Sequence, residues 1–148
     1  MNKDKSELRD VNTEKAVLGE LLLEPGQVEN YAHLLSESSF TTPENRVLVN
    51  AVLAVWHETG SADANLVADR LSRDGQLPTI GGIDGVIEYM EAIPHGYHLE
   101  KNVEILLDLE NRRRAMGRLG EIQAGVMDRN IPLDAILPAE LMLSLIHI

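Results

Sequence analysis

Cysteine is absent from the 148 residues, which excludes disulfides, thiolate nucleophiles and thiolate-held metals. No apolar stretch approaches the roughly 20 residues that cross a bilayer, although hydrophobic residues make up 44% of the chain. That is enough for a packed core, and the length suits one domain. Basic residues are scarce, 13 Lys and Arg against 24 Asp and Glu, for a net charge of −11. Such a surface repels phosphates, so little direct nucleic-acid binding is expected from the overall field. A phosphate-cradling loop of the form G-x-x-x-x-G-K-[ST] needs a Gly-Lys pair, and the chain has none. Gly81-Gly82 with Gly85 lacks both the preceding strand and the spacing of a dinucleotide fingerprint. Met1–Asp10 holds three acids, three bases and one leucine. It reads as a polar leader over 1–11 without a signal peptide, and the expectation is a cytoplasmic protein with no membrane association.

What is present is helical periodicity. Val17, Leu18, Leu21 and Leu22 share one helical face after Asn12 or Thr13 as cap, and Glu24-Pro25-Gly26 stops this helix. Val28, Tyr31, Ala32 and Leu35 fall at i, i+3, i+4 and i+7, a second stripe. Thr42-Pro43 predicts the start of a third helix to about Glu58, with Leu48, Val52, Val55 and Trp56 inward and Gly60 as terminator. Asp63 caps a fourth helix through Leu66, Val67 and Leu71 that ends at Asp74-Gly75. Leu77 to Gly82 reads as a loop, and Ile83, Val86, Ile87 and Met90 give a fifth stripe up to Ile93-Pro94.

After Pro94-His95-Gly96 the pattern stays helical from His98 to about Arg129. Its apolar residues are Leu99, Val103, Leu106 and Leu109, then Met116, Leu119, Ile122 and Val126, interrupted at Arg112-Arg113-Arg114. Gly117, Gly120 and Gly125 weaken the second half, each by up to about 1 kcal/mol relative to alanine. No segment alternates with strand period, so the expected fold is all-α, a compact bundle of about five short helices followed by one long helix.

Few residues point to chemistry. His95 and His98 with Glu91 and Glu100 have zinc-ligand character, but Pro94 and Gly96 break the helix that would fix their spacing. A metal-dependent enzyme built on them is a minor alternative to a solvated loop. Arg112, Arg113, Arg114 and Arg118 place four of the 13 bases within seven positions, and could meet a partner's carboxylates or phosphates. Asp108, Glu110 and Glu121 lie within helical reach, so pairing within the helix is the simpler expectation. A helix near thirty residues outruns a small domain, so part of its stripe calls for a cover. Self-association or a partner helix would supply one, as would Leu133, Ile136 and Leu137 folding back.

The order of these features resembles the N-terminal domain of DnaB-type replicative helicases. Glu14-Lys15-Ala16-Val17-Leu18-Gly19 resembles that family's first-helix signature of glutamate, any residue, small, valine, leucine, glycine. Phe40 and Pro43-Glu44-Asn45-Arg46 with Ala51 resemble the start of its third helix, with Thr41 where an aromatic is usual and Asn45 where histidine is usual. Leu66-Val67 with Leu71, then Gly81-Gly82 with Tyr89-Met90, match the next blocks. The segment from His98 through Arg114 resembles the first arm of the closing helical hairpin, and Asp134-Ala135-Ile136-Leu137 the start of its second arm. The resemblance runs from about Asn12 to Leu137, and Pro138 departs from it because proline inside the returning arm would break it.

The resemblance implies a globular helical part over 12–96, an incomplete hairpin over 97–142, and no catalytic residue, metal or cofactor within this segment. It implies a collar on a hexameric ring, paired into dimers through the hairpin, that helps recruit primase and in some systems a loader. ATP, magnesium and single-stranded DNA would belong to a RecA-like motor following it. Hairpin pairing is assigned to Leu106, Leu109, Met116, Leu119, Ile122 and Val126, with Arg112, Arg113 and Arg114 beside them as partner contacts. A free-standing helical adaptor, such as the helicase-binding domain of a primase, is the alternative. Leu143-Ser144-Leu145-Ile146-His147-Ile148 resembles the translation of a transposon adapter used in sequencing libraries, which implies that the native chain continues past about Met142 with other residues.

Overall fold

The structure, a computed structural model, describes residues 7–146. His147 and Ile148, the last two residues of the adapter-like segment, and the first six of the leader lie outside them. Among the described residues every regular element is helical, and no helix is long and apolar enough to cross a membrane. The chain forms two compact units that divide between Glu110 and Asn111.

In the first unit, α1 (Val11–Leu23) starts one turn earlier than expected. Asp10 is its cap, in place of Asn12 or Thr13: Asp10 Oδ1 accepts from Thr13 N at 3.1 Å and Oδ2 from Thr13 Oγ1 at 2.8 Å. A 3-10 turn, Pro25–Gln27, leads into the single-turn α2 (Val28–Tyr31). Val28 and Leu35 are buried as the second stripe requires, but regular α-helix ends before Leu35. Then α3 (Pro43–Thr59) follows its signals closely. Thr42 Oγ1 accepts from Asn45 N at 3.1 Å, Pro43 occupies the first turn, and Gly60 terminates the helix at φ 76, a left-handed conformation that costs glycine nothing. Asp63 Oδ1 accepts from Asn65 N at 2.9 Å and caps α4 (Ala64–Arg73). The stretch read as a loop holds a further turn, α5 (Leu77–Ile80), before α6 (Gly82–Glu91). Proline in the first turn of α5 costs no hydrogen bond, which hides this helix from a reading that treats proline as a breaker.

The core gathers Leu18 and Leu21 of α1, Leu48 and Val52 of α3, Val67 and Leu71 of α4, and Phe40 from the segment before α3, all at most 1% exposed. Each such side chain contributes about 1.5–3 kcal/mol through removal from water. Two faces differ from expectation. Leu66 is 42% exposed, and on α6 the buried residues are Gly85, Val86 and Tyr89 while Ile83 and Ile87 are 53% and 44% exposed. The close-packed face of α6 is thus its small and aromatic one.

Gly19 explains why α1 and α6 pack so tightly. A Cβ added there would fall inside the van der Waals envelope of the Tyr89 carbonyl oxygen and press on Ile93. Only a residue without a side chain permits this backbone approach.

The long helix α7 (Leu99–Met127) spans 29 residues, about 43 Å at 1.5 Å per residue. Its N-terminal half belongs to the first unit, where Val103 and Leu106 are buried in the core. Within the second unit the chain turns after Met127. Asp128 N donates to the Ala124 and Gly125 carbonyls, and Ile131 N donates back to the Asp128 carbonyl at 3.1 Å. A 3-10 turn, Leu133–Ala135, occupies the stretch where a second arm was expected to start. The next helix is α8 (Ala139–Ile146), directly after Pro138, whose carbonyl accepts from Met142 N at 2.9 Å. Ile136 seats its side chain against the bare backbone of Gly125, and Leu137 is 8% exposed. The expected fold-back of these two residues is present, whereas Leu133 stays at the surface, 36% exposed.

Candidate partner-binding surface

The residues assigned to pairing separate by environment. Leu106 is 1% exposed in the core of the first unit, so it is withdrawn from that set. Leu109 is half-buried. In the second unit Met116, Leu119 and Val126 are 48%, 59% and 48% exposed, and Ile122 is half-buried. At 100° per residue, Leu119 and Val126 lie about 20° apart on the wheel of α7 and Met116 about 60–80° from them, so the three share one side within the second unit.

Arg112, Arg113 and Arg114 all engage neighbouring groups, as do Asp108 and Glu110. Arg118 Nη1 lies 3.3 Å from Glu121 Oε2, the i,i+3 pair expected from spacing. It is exposed on both sides, so it is worth at most about 0.5 kcal/mol. Glu110 also accepts from Ser39 Oγ at 2.8 Å, which ties α7 to the turn before α3 inside the first unit.

His95 and His98 sit exposed in the loop between α6 and α7. Among the described residues no three His, Cys, Asp or Glu side chains are grouped to hold a metal.

Sequence reasoning missed a buried polar network in the first unit. Glu14 is 1% exposed. Its carboxylate accepts from Thr41 N at 2.9 Å, Thr41 Oγ1 at 2.6 Å and Asn45 Nδ2 at 3.0 Å. Asn45 Oδ1 in turn accepts from Tyr89 Oη at 2.5 Å. Three donors replace the water that a carboxylate loses on burial, which is what makes such a group tolerable in a core. Burial, then the charges of Glu44 and Glu14, push the Tyr89 hydroxyl up to about 12, so it stays protonated and donating. Lys15 Nζ lies 5.2 Å from the centre of the Tyr89 ring. Tyr97 offers a contrast: its hydroxyl is buried with no hydrogen-bond partner, and burial, then Glu20 and Tyr31, raise its pKa.

Glu14, Gly19, Asn45 and Tyr89 thus hold α1, α3 and α6 together, and all four fall in the blocks that the helicase-domain resemblance rests on. The model of the DnaB-like helicase N-terminal domain family matches residues 6–108. The chain belongs to that family.

A probable replicative DNA helicase of Trieres chinensis is 31% identical over 126 residues, 84% of this chain and 27% of the relative. The replicative DNA helicase DnaB of Geobacillus stearothermophilus is 24% identical over 129 residues, 87% of this chain and 28% of the relative. The chain therefore spans about a quarter of the length of these curated relatives. The N-terminal domain of the Mycobacterium tuberculosis DnaB helicase superposes with a TM-score of 0.71 at 24% identity, covering 78% of this chain and 83% of that one. The corresponding domain from Helicobacter pylori, described with its interactions with primase, gives 0.66 at 21% identity over 85% of this chain and 97% of that one. Both share the all-α fold.

Proposed function

We propose that this DnaB-type N-terminal domain acts as the collar of a replicative helicase, an assembly and recruitment module with no catalysis of its own. The supporting observation is the apolar stripe of Met116, Leu119 and Val126 in the second unit, with large side chains left in water on a regular helix. Exposed apolar surface of this kind marks protein interfaces. A second copy pairing through this stripe, within a hexameric ring, is the assembly we infer. Recruitment of primase draws on the Helicobacter pylori domain, whose primase interactions are described; a loader would be a further partner.

Leu119→Asp tests the pairing. Full chain is compared with the variant by light scattering coupled to size exclusion, with circular dichroism as the fold control. The expected result is a dimer reduced to monomer with helicity intact, and an unchanged mass refutes the assignment. Binding to the cognate primase, measured by calorimetry, tests recruitment.

ATP, magnesium and single-stranded DNA are assigned to a motor that follows this domain, since the curated relatives extend well beyond the matched segment. Sequencing the locus past the codon for Met142 tests this and the adapter-like tail together. The expected reading frame leaves the present sequence and reaches G-x-x-x-x-G-K-[ST]. A frame that retains residues 143–148 and ends there refutes both. The cytoplasm is the compartment where such a module would work.

A further inference from the structure

The face of α6 turned away from the core lines a groove of about 440 Å³ within the first unit. Its apolar wall is Ile83, Ile87 and Met90 of α6, faced by Leu23 at the end of α1, with Ala64 and Ala68 of α4 across from them. Leu23, Ile83 and Ile87 are 47%, 53% and 44% exposed. Ile83, Ile87 and Met90 lie within about 60° on the helical wheel and extend about 10 Å along α6, two turns of helix. The two alanines leave room for bulky side chains from outside. Nothing in the described unit fills this space.

The border of the groove has one sign of charge. Asp63 lines it, and Asp84 and Glu91 flank the Ile83–Ile87 stripe on the side of α6 away from the core, at about 80–100° on the wheel. Glu88 follows on the same side, and Glu24 adjoins Leu23. Neither α6 nor the groove lining contains lysine or arginine. The arginines of α4 are already engaged, Arg70 with Glu58 and Asp74 and Arg73 with Asp69.

The geometry points to this groove as the docking site for a cationic amphipathic helix of a partner protein. The helix would present leucine-like side chains at i, i+3 or i+4 and i+7 to the groove, flanked by lysine or arginine against Asp63, Asp84 and Glu91. Nucleic acid is disfavoured by the same acidic border. A second copy of this chain is the poorer fit. Its exposed stripe around Leu119 carries Glu121, and Arg118 is already paired to that glutamate. The groove is built from first-unit residues only and the stripe proposed for pairing from second-unit residues only, so each stands or falls separately.

The test uses the full chain and a fluorescein-labelled leucine–lysine peptide of about four helical turns, amphipathic by design. Two controls accompany it, the same composition scrambled and an analogue with glutamate for lysine. Anisotropy gives affinity and amide chemical shifts give location. The expected result is saturable binding of the amphipathic basic peptide with shifts at α6 and the start of α4. Ile87→Glu should weaken it at least about tenfold and Asp84→Lys with Glu91→Lys about fivefold; all are surface positions whose helicity is checked by circular dichroism. Equal binding of the scrambled or acidic peptide, or affinity indifferent to Ile87→Glu, overturns the proposal. Groove shifts that change on dilution without peptide also overturn it, and assign the groove to a second copy.

Discussion

Alanine at position 19 separates two effects that ordinarily point the same way for glycine in a helix. Replacing a helical glycine by alanine gains about 1 kcal/mol of helix propensity. At Gly19 the added methyl would meet the backbone carbonyl of Tyr89, with the Tyr89 carbonyl carbon 2.9 Å away and the Ile93 side chain behind. Neither backbone can rotate aside as a side chain would, so α1 and α6 must part by roughly 1 Å in a core packed as densely as a crystal. Overpacking against rigid neighbours costs about 3 kcal/mol, the upper part of the usual range. The net loss is about 2 kcal/mol, which lowers Tm by about 8 °C or more in a unit of this size. Trp56, the chain's single tryptophan, lies on α3 in this unit and reports its unfolding by fluorescence. Gly117→Ala is the matched control, since nothing lies within 4 Å of a Cβ there. It should leave Tm unchanged or raise it. A Gly19→Ala protein as stable as the parent would refute the close-approach argument.

The two buried tyrosines should respond oppositely to loss of their hydroxyls. Tyr89→Phe strands the buried Asn45 Oδ1 and should cost about 1–3 kcal/mol, whereas Tyr97→Phe removes an unpartnered hydroxyl and should be neutral or stabilising in urea unfolding. Alkaline pH provides an independent check. Tyr89 is raised from 10.0 to about 12 in the fold, so its contribution is complete below pH 10 and lost as pH rises through 12; Tyr97 shifts in the same direction. Wild-type Tm should therefore fall between pH 10 and 12 more steeply than that of the Tyr89→Phe, Tyr97→Phe double variant, and parallel profiles would contradict the shift.

The clearest parts of the fold in the sequence were those with local chemical punctuation. Thr42-Pro43 and Gly60 delimited α3 closely, and Asp63 with Asp74-Gly75 delimited α4, because caps and terminators act within a few residues. Periodicity located α6 and placed Val86 inward, but missed the rotation that turns Ile83 and Ile87 to the surface. Ile83, Val86, Ile87 and Met90 are the more apolar set, yet α6 turns Gly85 and Tyr89 inward, since a small residue admits another backbone and a tyrosine reaches a buried amide. Neither is visible to a hydrophobicity count. Leu106 was misassigned for a related reason, as a long helix serves two environments and its apolar residues bear no local mark of which one each meets. Burial of Glu14 has no local signal at all, because its donors lie 27 and 31 residues away. Of the proposed pairing surface, Met116, Leu119 and Val126 were legible as apolar residues on a helix, and their exposure was not.

The Glu14 network also bears on how the first unit comes apart in time. Its members span 31 residues between Glu14 and Asn45 and 44 between Asn45 and Tyr89, so no local segment can assemble it. A partly opened state with α6 lifted off leaves the buried Asn45 amide oxygen without its Tyr89 donor. Such states lie high in free energy, which suppresses local opening and makes loss of α6 coincide with loss of the whole unit. Long-range contacts of this kind form late, and stabilisation absent from the transition state acts on the rate of unfolding. Weakening the network, as in Asn45→Ala, is therefore expected to raise the unfolding rate more than it lowers the folding rate, which stopped-flow unfolding and refolding would check.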